Sequence, residues 1–440
     1  MGSSGASRRV AVMGAGVSGL ATAYYLGRAG AAVEVFEAEE EPGGLARSFT
    51  HDGLTVERYY HFLCRPDVEL IALAGELGLG DRLRWRRTRT SFFYRGRLYP
   101  FTSPADLLRF SPIPFWSRML MGLNTLQWTR LQDWHHLDEV SAKEWIIATL
   151  GERNWEVIWA PLLTMKFGGR HDQVSAAWVW HRIHRVANSR RSPLHPQVMG
   201  YFEGGTAVLV SRLVEAIGRQ HGRLHCGTRV EAVARGNRGR LTVRTAAGED
   251  DYDAVVMAVP LPPAAAVLPT DLTAYRAGLM QVEYIGVVCL AAWLTRGLTD
   301  SFWLNIHDPR LPMNGLIEFS NLNPATGRAG ALIYVPYYLP VTAPRFAFSD
   351  EQILDEFTQA LPLLRPGLDT SNVISHHVFR SPFAQAVCPV GFRQIQPPHA
   401  APYEGLYLLD STQQYPSDRT LSQCVRLAQK VAAMVMAGAS

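Results

Sequence analysis

Three glycines and one carboxylate carry the first chemical signal in this chain. Gly14, Gly16 and Gly19 stand in the spacing G-x-G-x-x-G, and Glu37 follows Gly16 by 21 positions. In a dinucleotide site the first glycine makes a tight turn, the second lets the backbone approach a pyrophosphate, and the third lets the next helix pack closely. An acid about 20 residues further on then accepts hydrogen bonds from ribose hydroxyls. The reaction would be that of the bound cofactor, with the protein supplying position and electrostatics. The positioning elements are legible around these residues. Val10, Ala11, Val12 and Met13 predict a short buried parallel strand. The helix after it would aim its N-terminal N–H groups at the phosphates. Ala23 and Leu26 continue its packing face, Gly30 ends it, and Val33, Val35 and Phe36 form a second strand closing on Glu37. Glycines in a strand-helix turn can serve packing alone, but here strand, glycines, helix, strand and acid all fall at the required spacings.

Downstream, Gly43, Gly44 and Arg47 continue the pattern as E-x5-G-G-x-x-R counted from Glu37. This extension resembles that of glutathione-reductase-type FAD proteins, which implies FAD in preference to a nicotinamide cofactor. Further segments fit the same domain. In Met199 to Ile217, Gly204 and Gly205 precede an amphipathic helix; Gly222 to Ala234 reads as one strand; Asp253 to Pro260 reads as another. In Gly405 to Lys430 a strand ending in Asp410 leads through a polar turn into a closing helix. The expected fold class is therefore α/β: a discontinuous Rossmann-like, glutathione-reductase-type FAD-binding domain from residues 8–98, 196–265 and 396–438. Residues 99–195, rich in Trp, Leu and Arg at helical spacing (Val140 to Leu150, for instance), form a helical substrate-covering insertion. Residues 266–395 form a substrate domain of mixed β-sheet, with Ile285 to Trp293 and Ala331 to Tyr338 as apolar strands bounded by Pro and Gly.

At 440 residues the chain exceeds a single core, and 47% hydrophobic with 19% charged residues is the make-up of a folded enzyme, which argues against long disorder. The longest apolar stretch, Tyr284 to Leu294, is too short for a bilayer helix and predicts a buried strand. The net charge of +4 rests on arginine, the only lysines being Lys143, Lys166 and Lys430, and the abundance of arginine and alanine suits a GC-rich bacterial genome. The run Arg82, Arg84, Arg86, Arg87, Arg89 has no recognition motif beside it, so no nucleic-acid partner is expected. Five scattered cysteines make no C-x-x-C pair and suit a reducing cytoplasm. The opening MGSSGAS has no signal-peptide apolar run and reads in part as a cloning scar. His135, His136, His376 and His377 are adjacent pairs, which cannot share a ligand face, and no G-x-S-x-G elbow is present, so neither a metal nor a nucleophilic triad is expected.

Taken together, these motifs resemble the flavin-containing amine oxidase, protoporphyrinogen oxidase and phytoene desaturase superfamily, which includes UDP-galactopyranose mutase. The resemblance implies non-covalent FAD, since no Cys or His stands in a recognisable flavin-attachment context. It also implies cofactor contacts from Ser18, Leu45, Ala46, Arg47, Tyr60, His61, Arg419, Thr420 and Leu421, besides Gly14, Gly16, Gly19, Glu37, Gly43 and Gly44. Val230 matches the position that meets adenine through its backbone, and Asp410 the group that bonds the ribityl chain, a helix cap being the plainer role for Asp410. Arg58, Tyr59, Tyr60, His61, Phe62 and Asp67 look like the mutase stretch whose histidine lies against the isoalloxazine ring. Arg95 to Phe101 and Leu163 to Gly168 are likewise similar to mutase segments, although Phe167 and Gly168 stand where a Gln-Trp pair is expected. His61 and Lys166 are thus the candidate catalytic residues; a packing histidine and a lysine snorkelling to the surface, rather than one contacting phosphate, are the bland alternatives. Tyr334, Tyr337 and Tyr338 either pack or line the substrate cavity.

The implied activity is that of an FAD-dependent oxidoreductase, taking a hydride from a C–H or C–N centre of a small molecule to flavin N5. The alternative is a redox-neutral sugar-nucleotide mutase, and a third class is a non-enzymatic FAD-stabilised binding protein. The small-molecule partner is expected to be anionic or a sugar nucleotide in the mutase case; the homo-oligomeric state is left open. Leu107, Leu108, Phe110, Ile113, Phe115, Trp116, Met119, Leu120 and Met121, interleaved with Arg109 and Arg118, suit either peripheral membrane contact beside the substrate entrance or a core-facing helix with two snorkelling arginines.

Overall fold

A computed structural model describes residues 7–190, 195–327 and 330–438. The opening segment expected to be a cloning scar lies, through residue 6, outside the described residues. Arg9–Met13 takes the centre of a five-stranded parallel sheet, in the order 406–408, 254–257, 9–13, 32–36, 223–225. Val10–Met13 and Ala254–Met257 read as unbroken apolar runs because both faces are covered, one by an antiparallel meander spanning residues 230–252 and the other by helices. One of these, Val17–Arg28, packs against both Ala207–Arg219 and Leu421–Ala437.

The sheet order reverses between strands 9–13 and 254–257. In an open parallel sheet the crevice for a ligand opens at the carboxyl ends of the strands flanking such a reversal. Close approach makes the glycines obligatory there. Gly14 has φ +96°, and a Cβ on it would lie 2.6 Å from the carbonyl oxygen of Ala258; a Cβ on Gly19 would lie 1.9 Å from that of Gly14.

Gly222 to Ala234, expected as a single strand, is two. Arg223–His225 completes the parallel sheet, whereas Val230–Arg235 begins an antiparallel meander with Leu241–Thr245 and Gly248–Tyr252. The break is a turn at Gly227, φ +64°, after which Thr228 N–H donates to the Glu37 carbonyl at 2.7 Å.

A seven-stranded sheet forms the second lobe, in the order 373–386, 284–294, 331–339, 315–318, 303–307, 90–94, 97–100. Its central strand, Tyr284–Leu294, is the long apolar stretch of the sequence and is buried from Ile285 onward. The expected boundary at residue 98 falls inside the strand Arg97–Pro100, which pairs with Thr90–Tyr94 on this second sheet. The insertion is helical: Pro104–Arg109, Phe115–Trp128, Ala142–Leu150, Ala160–Phe167 and Ala176–Asn188. Ala142–Leu150 starts where Ser141 and Glu144 form a reciprocal cap. Buried Trp128, Trp155, Trp159, Trp178 and Trp180 fill the lobe. Among the described residues no helix is long and apolar enough to cross a membrane.

Glu57 sits where the two sheets meet. Its carbonyl accepts from the Tyr334 hydroxyl at 2.6 Å, and its Oε1 accepts from Thr206 N–H at 3.1 Å. Burial pushes its carboxyl from 4.5 up to about 7, two backbone hydrogen bonds opposing only part of the shift. A folded-state value above the unfolded one means that stability present below about pH 4.5 is lost as the pH rises to about 7. That loss should amount to about 3 kcal/mol. Glu57→Gln keeps an acceptor for Thr206 and should abolish this component, so denaturant titrations at pH 5 and pH 8 should show a smaller fall for the variant than for the wild type. Parallel falls would mean that Glu57 is ionised throughout.

Candidate active site

A cavity of about 1350 Å³, its open mouth included, lies at the carboxyl ends of strands 9–13 and 254–257. Gly16, Val17 and Ser18 form one wall, and Gly43, Leu45 and Ala46 adjoin them. Gly43 N–H donates to the Ala15 carbonyl at 2.8 Å, and a Cβ on Gly44 would lie 3.2 Å from Gly16 Cα, so the two glycine turns are in direct contact. A Cβ on Gly16, by contrast, would meet nothing within 4 Å. The helix Val17–Arg28 starts at Gly16 with no side-chain cap and no acid in its first turn, leaving its leading amides for an anion. The helix Leu421–Ala437 begins at the same cavity; its cap Thr420 accepts from Gln423 N–H at 3.1 Å, and Arg419, Thr420 and Leu421 all line the wall.

Other expected residues stand behind the surface. Glu37 braces the first turn, Oε2 accepting from Ala15 N–H at 2.7 Å and Oε1 from Glu39 N–H at 3.0 Å. Arg47 ties the second turn, bonding the Gly44 carbonyl and pairing with Glu39, each at 3.3 Å. Gly14 and Gly19 are packed away as described, and Val230 is buried at the head of the meander, outside the cavity lining. Asp410 does line the cavity and also caps a turn: its Oδ1 accepts from Thr412 N–H at 2.8 Å and from the Tyr284 hydroxyl at 2.7 Å. Burial raises its pKa against these hydrogen bonds.

Tyr59, Tyr60, His61 and Phe62 face the cavity from beyond Ala46. His61 is neutral at physiological pH, since burial, reinforced by the Arg419 charge, lowers its pKa to about 4. Its Nδ1 is buried and makes no hydrogen bond of good geometry among the described residues. The Tyr60 hydroxyl is buried as well, and burial with the adjacent Tyr338 hydroxyl raises its pKa well above the usual value. No hydrogen bond of good geometry joins those two hydroxyls. Of the three tyrosines left open, Tyr338 lines the cavity, Tyr334 holds Glu57, and Tyr337 packs in the core under Arg345.

The opposite wall is cationic. Lys166, in the last turn of Ala160–Phe167, does not reach the surface: its Nζ lies 3.5 Å from Asp418 Oδ2 and 5.3 Å from the centre of the Tyr338 ring. Arg182 donates to the same Asp418 oxygen at 2.8 Å, and Arg185 to Asp67 at 2.8 Å. Burial would raise the Asp418 pKa, but Lys166, Arg182, Arg185 and Arg419 together hold it below the usual carboxylate value. Asp418 Oδ1 is buried and has no hydrogen-bond partner among the described residues. Arg182, Arg185 and Asp418 are additions that sequence reasoning missed. Trp178, Arg182 and Arg185 recur at i, i+4 and i+7, a spacing that places them on one helix face.

These residues fit FAD. The open space at Gly16, two helix N-termini on one cavity and the buried Nδ1 of His61 supply, respectively, room for a close backbone approach, amides for a pyrophosphate and a hydrogen-bonding atom for a heterocycle.

The chain matches the flavin containing amine oxidoreductase family over residues 17–434 and belongs to it. It is 33% identical to mitochondrial protoporphyrinogen oxidase of Nicotiana tabacum over 125 residues, 28% of this chain and 25% of that protein. It is 23% identical to the 15-cis-phytoene desaturase of Solanum lycopersicum over 437 residues, 91% of this chain and 72% of that one. The chain thus spans only about a quarter of the tobacco relative and 38% of a Staphylococcus aureus coproporphyrinogen III oxidase. In fold it is similar to a candidate protoporphyrinogen oxidase of Exiguobacterium sp. 255-15, with TM-score 0.78, 20% identity and coverage of 98% and 99% of the two chains. It is also similar to reduced UDP-galactopyranose mutase, with TM-score 0.76, 15% identity and coverage of 98% and 96%.

Gly16→Val and Gly19→Val separate the roles of the glycines. Gly19→Val should lower folding stability by about 1–3 kcal/mol through overpacking. Gly16→Val should leave the urea midpoint of the flavin-free protein near wild type while flavin retention on gel filtration drops. Equal destabilisation by both would assign Gly16 to packing.

Proposed function

We propose that the protein is an FAD-dependent oxidoreductase acting on a C–H or C–N centre of a small molecule that carries an anionic group. FAD, when bound, supplies the acceptor for the hydride that leaves the substrate carbon. Gly16, Ser18, Gly43, Leu45, Ala46, Arg419, Thr420 and Leu421 would hold it, with Tyr60, His61 and Asp410 along the remaining wall. The observation that carries the reading is the meeting, in one cavity, of this glycine-lined wall with Lys166, Arg182, Arg185 and Arg419. With Arg419 counted among the groups that would hold FAD, Asp418 and Asp67 offset two of the three remaining cations, Lys166, Arg182 and Arg185, and leave one unbalanced. The surplus favours a substrate carboxylate or phosphate. His61 stays uncharged, while Tyr59, Tyr60, Phe62, Trp303, Tyr338 and Phe383 exclude water from the reacting region.

The reading includes non-covalent binding, and the two cavity cysteines support it. Cys289 and Cys424 line the wall, and burial raises both thiols above their usual pKa. They are therefore protonated and poor nucleophiles. Acid precipitation should release all flavin to the supernatant; flavin left in the pellet would mean a covalent link. Unpaired thiols throughout the described chain accord with a cytoplasmic site of action.

The redox-neutral mutase reading rests on the same cations, which suit a diphosphate, and on the place of His61. Anaerobic mixing decides between the two. An oxidoreductase bleaches with its substrate and no reductant, whereas UDP-galactopyranose turnover that requires prior dithionite reduction would establish the mutase. His61→Ala should retain flavin and shift its reduction potential, and an unchanged potential with unchanged turnover would make His61 a packing residue.

A further inference from the structure

The helix Phe115–Trp128, FWSRMLMGLNTLQW, carries large apolar side chains on two sides, with Ser117, Arg118, Asn124 and Thr125 between them. A helix of that kind is ordinarily enclosed on both apolar sides. This one is covered on one side only. Trp128 is buried, its ring 4.3 Å from that of Trp145, and its carbonyl accepts from the Trp180 indole at 2.9 Å. On the other side Trp116, Met119, Leu120, Leu123 and Leu126 recur at i, i+3, i+4, i+7 and i+10, and every one is exposed, Trp116 to 79% and Leu123 to 61%. Phe115 and Leu108 are exposed too. A single exposed leucine needs no explanation, but a contiguous stripe of large apolar side chains does.

Charge indicates what covers the stripe. Between Asp106 and Asp133 the sequence contains three arginines, Arg109, Arg118 and Arg130, and no acid. Arg109 and Arg130 are exposed. Arg118 donates to the Leu108 carbonyl, and its guanidinium lies 5.5 Å from the centre of the Phe115 ring. An apolar stripe whose own segment carries arginines and no acid matches a layer of acyl chains beneath anionic headgroups. A second copy of the same face would set arginines against arginines with no acid between them. The helix has 14 residues, about 21 Å at 1.5 Å per residue, and so is too short to span a bilayer core of about 30 Å.

We propose that this face is a docking surface for an anionic phospholipid bilayer: the helix lies in the plane of the interface, Trp116, Leu120 and Leu123 enter the acyl boundary, and the arginines meet headgroup phosphates. The test uses the full flavin-loaded chain with vesicles of phosphatidylcholine alone or mixed with phosphatidylglycerol. Co-sedimentation is expected with the mixed vesicles, weakening in high salt. The combined variant Trp116→Ser, Leu120→Ser, Leu123→Ser should lower the partition coefficient roughly tenfold or more, with flavin content and melting temperature unchanged. The proposal is overturned if the wild type does not bind mixed vesicles, if it binds both vesicle types equally, or if the variant binds like the wild type. It is also overturned if light scattering shows a wild-type dimer that the variant converts to monomers.

Discussion

The molecule depends on how closely two turns approach each other. The chain leaves strand 9–13 through Gly14, and the turn at Ala258 crosses so near that no side chain fits at Gly14. Gly19 then presses on Gly14 from the following helix, and Gly44 presses on Gly16 from the second glycine turn. This chain of contacts sets the start of the helix Val17–Arg28, and Glu37 fixes it from the side by accepting the Ala15 amide. Carboxylate and glycines form one mechanical unit. Packing density leaves little room for compromise, because core contacts respond to changes of a single methylene.

The cationic wall is built across lobes as well as across a cavity. Lys166, Arg182 and Arg185 come from the helical insertion, and their counter-ions Asp418 and Asp67 come from the nucleotide-binding lobe. Beside them Tyr415 contacts Asp138 and bonds Ser175 at 2.6 Å. Buried charge is costly unless it is paired. Here the pairing that meets the cost also fixes the insertion relative to the sheet, so the shape of the site and the docking of the lobes are set by the same side chains.

What was legible in the sequence was local. Arg9–Met13, Ala32–Phe36 and Tyr284–Leu294 follow from apolar runs between turn residues, and the glycine spacing places the first helix. The partners of Lys166 were not legible, because 252 positions separate it from Asp418 and no periodicity links them. The split at Gly227 was hidden because a tight turn inside a strand-like run leaves little trace in composition. The facing of Phe115–Trp128 was undecidable for a physical reason: both sides are apolar, so the pattern cannot say which side the core takes. Asp410 shows the converse. The two roles weighed for it, a turn cap and a cavity residue, are compatible, since capping engages Oδ1 while the side chain still borders the cavity.

The order in which the ribosome delivers these pieces has a consequence for the cell. The glycine turns emerge early, but the edge strand Leu406–Leu408 and the wall formed by Asp410, Asp418, Arg419 and Thr420 come some 360 residues or more after Gly44. Until they arrive, the strand Ala254–Met257 has an open edge and Lys166 and Arg182 lack Asp418. A nascent chain in that condition exposes unpaired backbone and apolar surface of the kind that holding chaperones recognise. Premature termination anywhere before residue 406 would leave the strand Ala254–Met257 unpaired on that side and the cavity without Asp410, Asp418, Arg419 and Thr420.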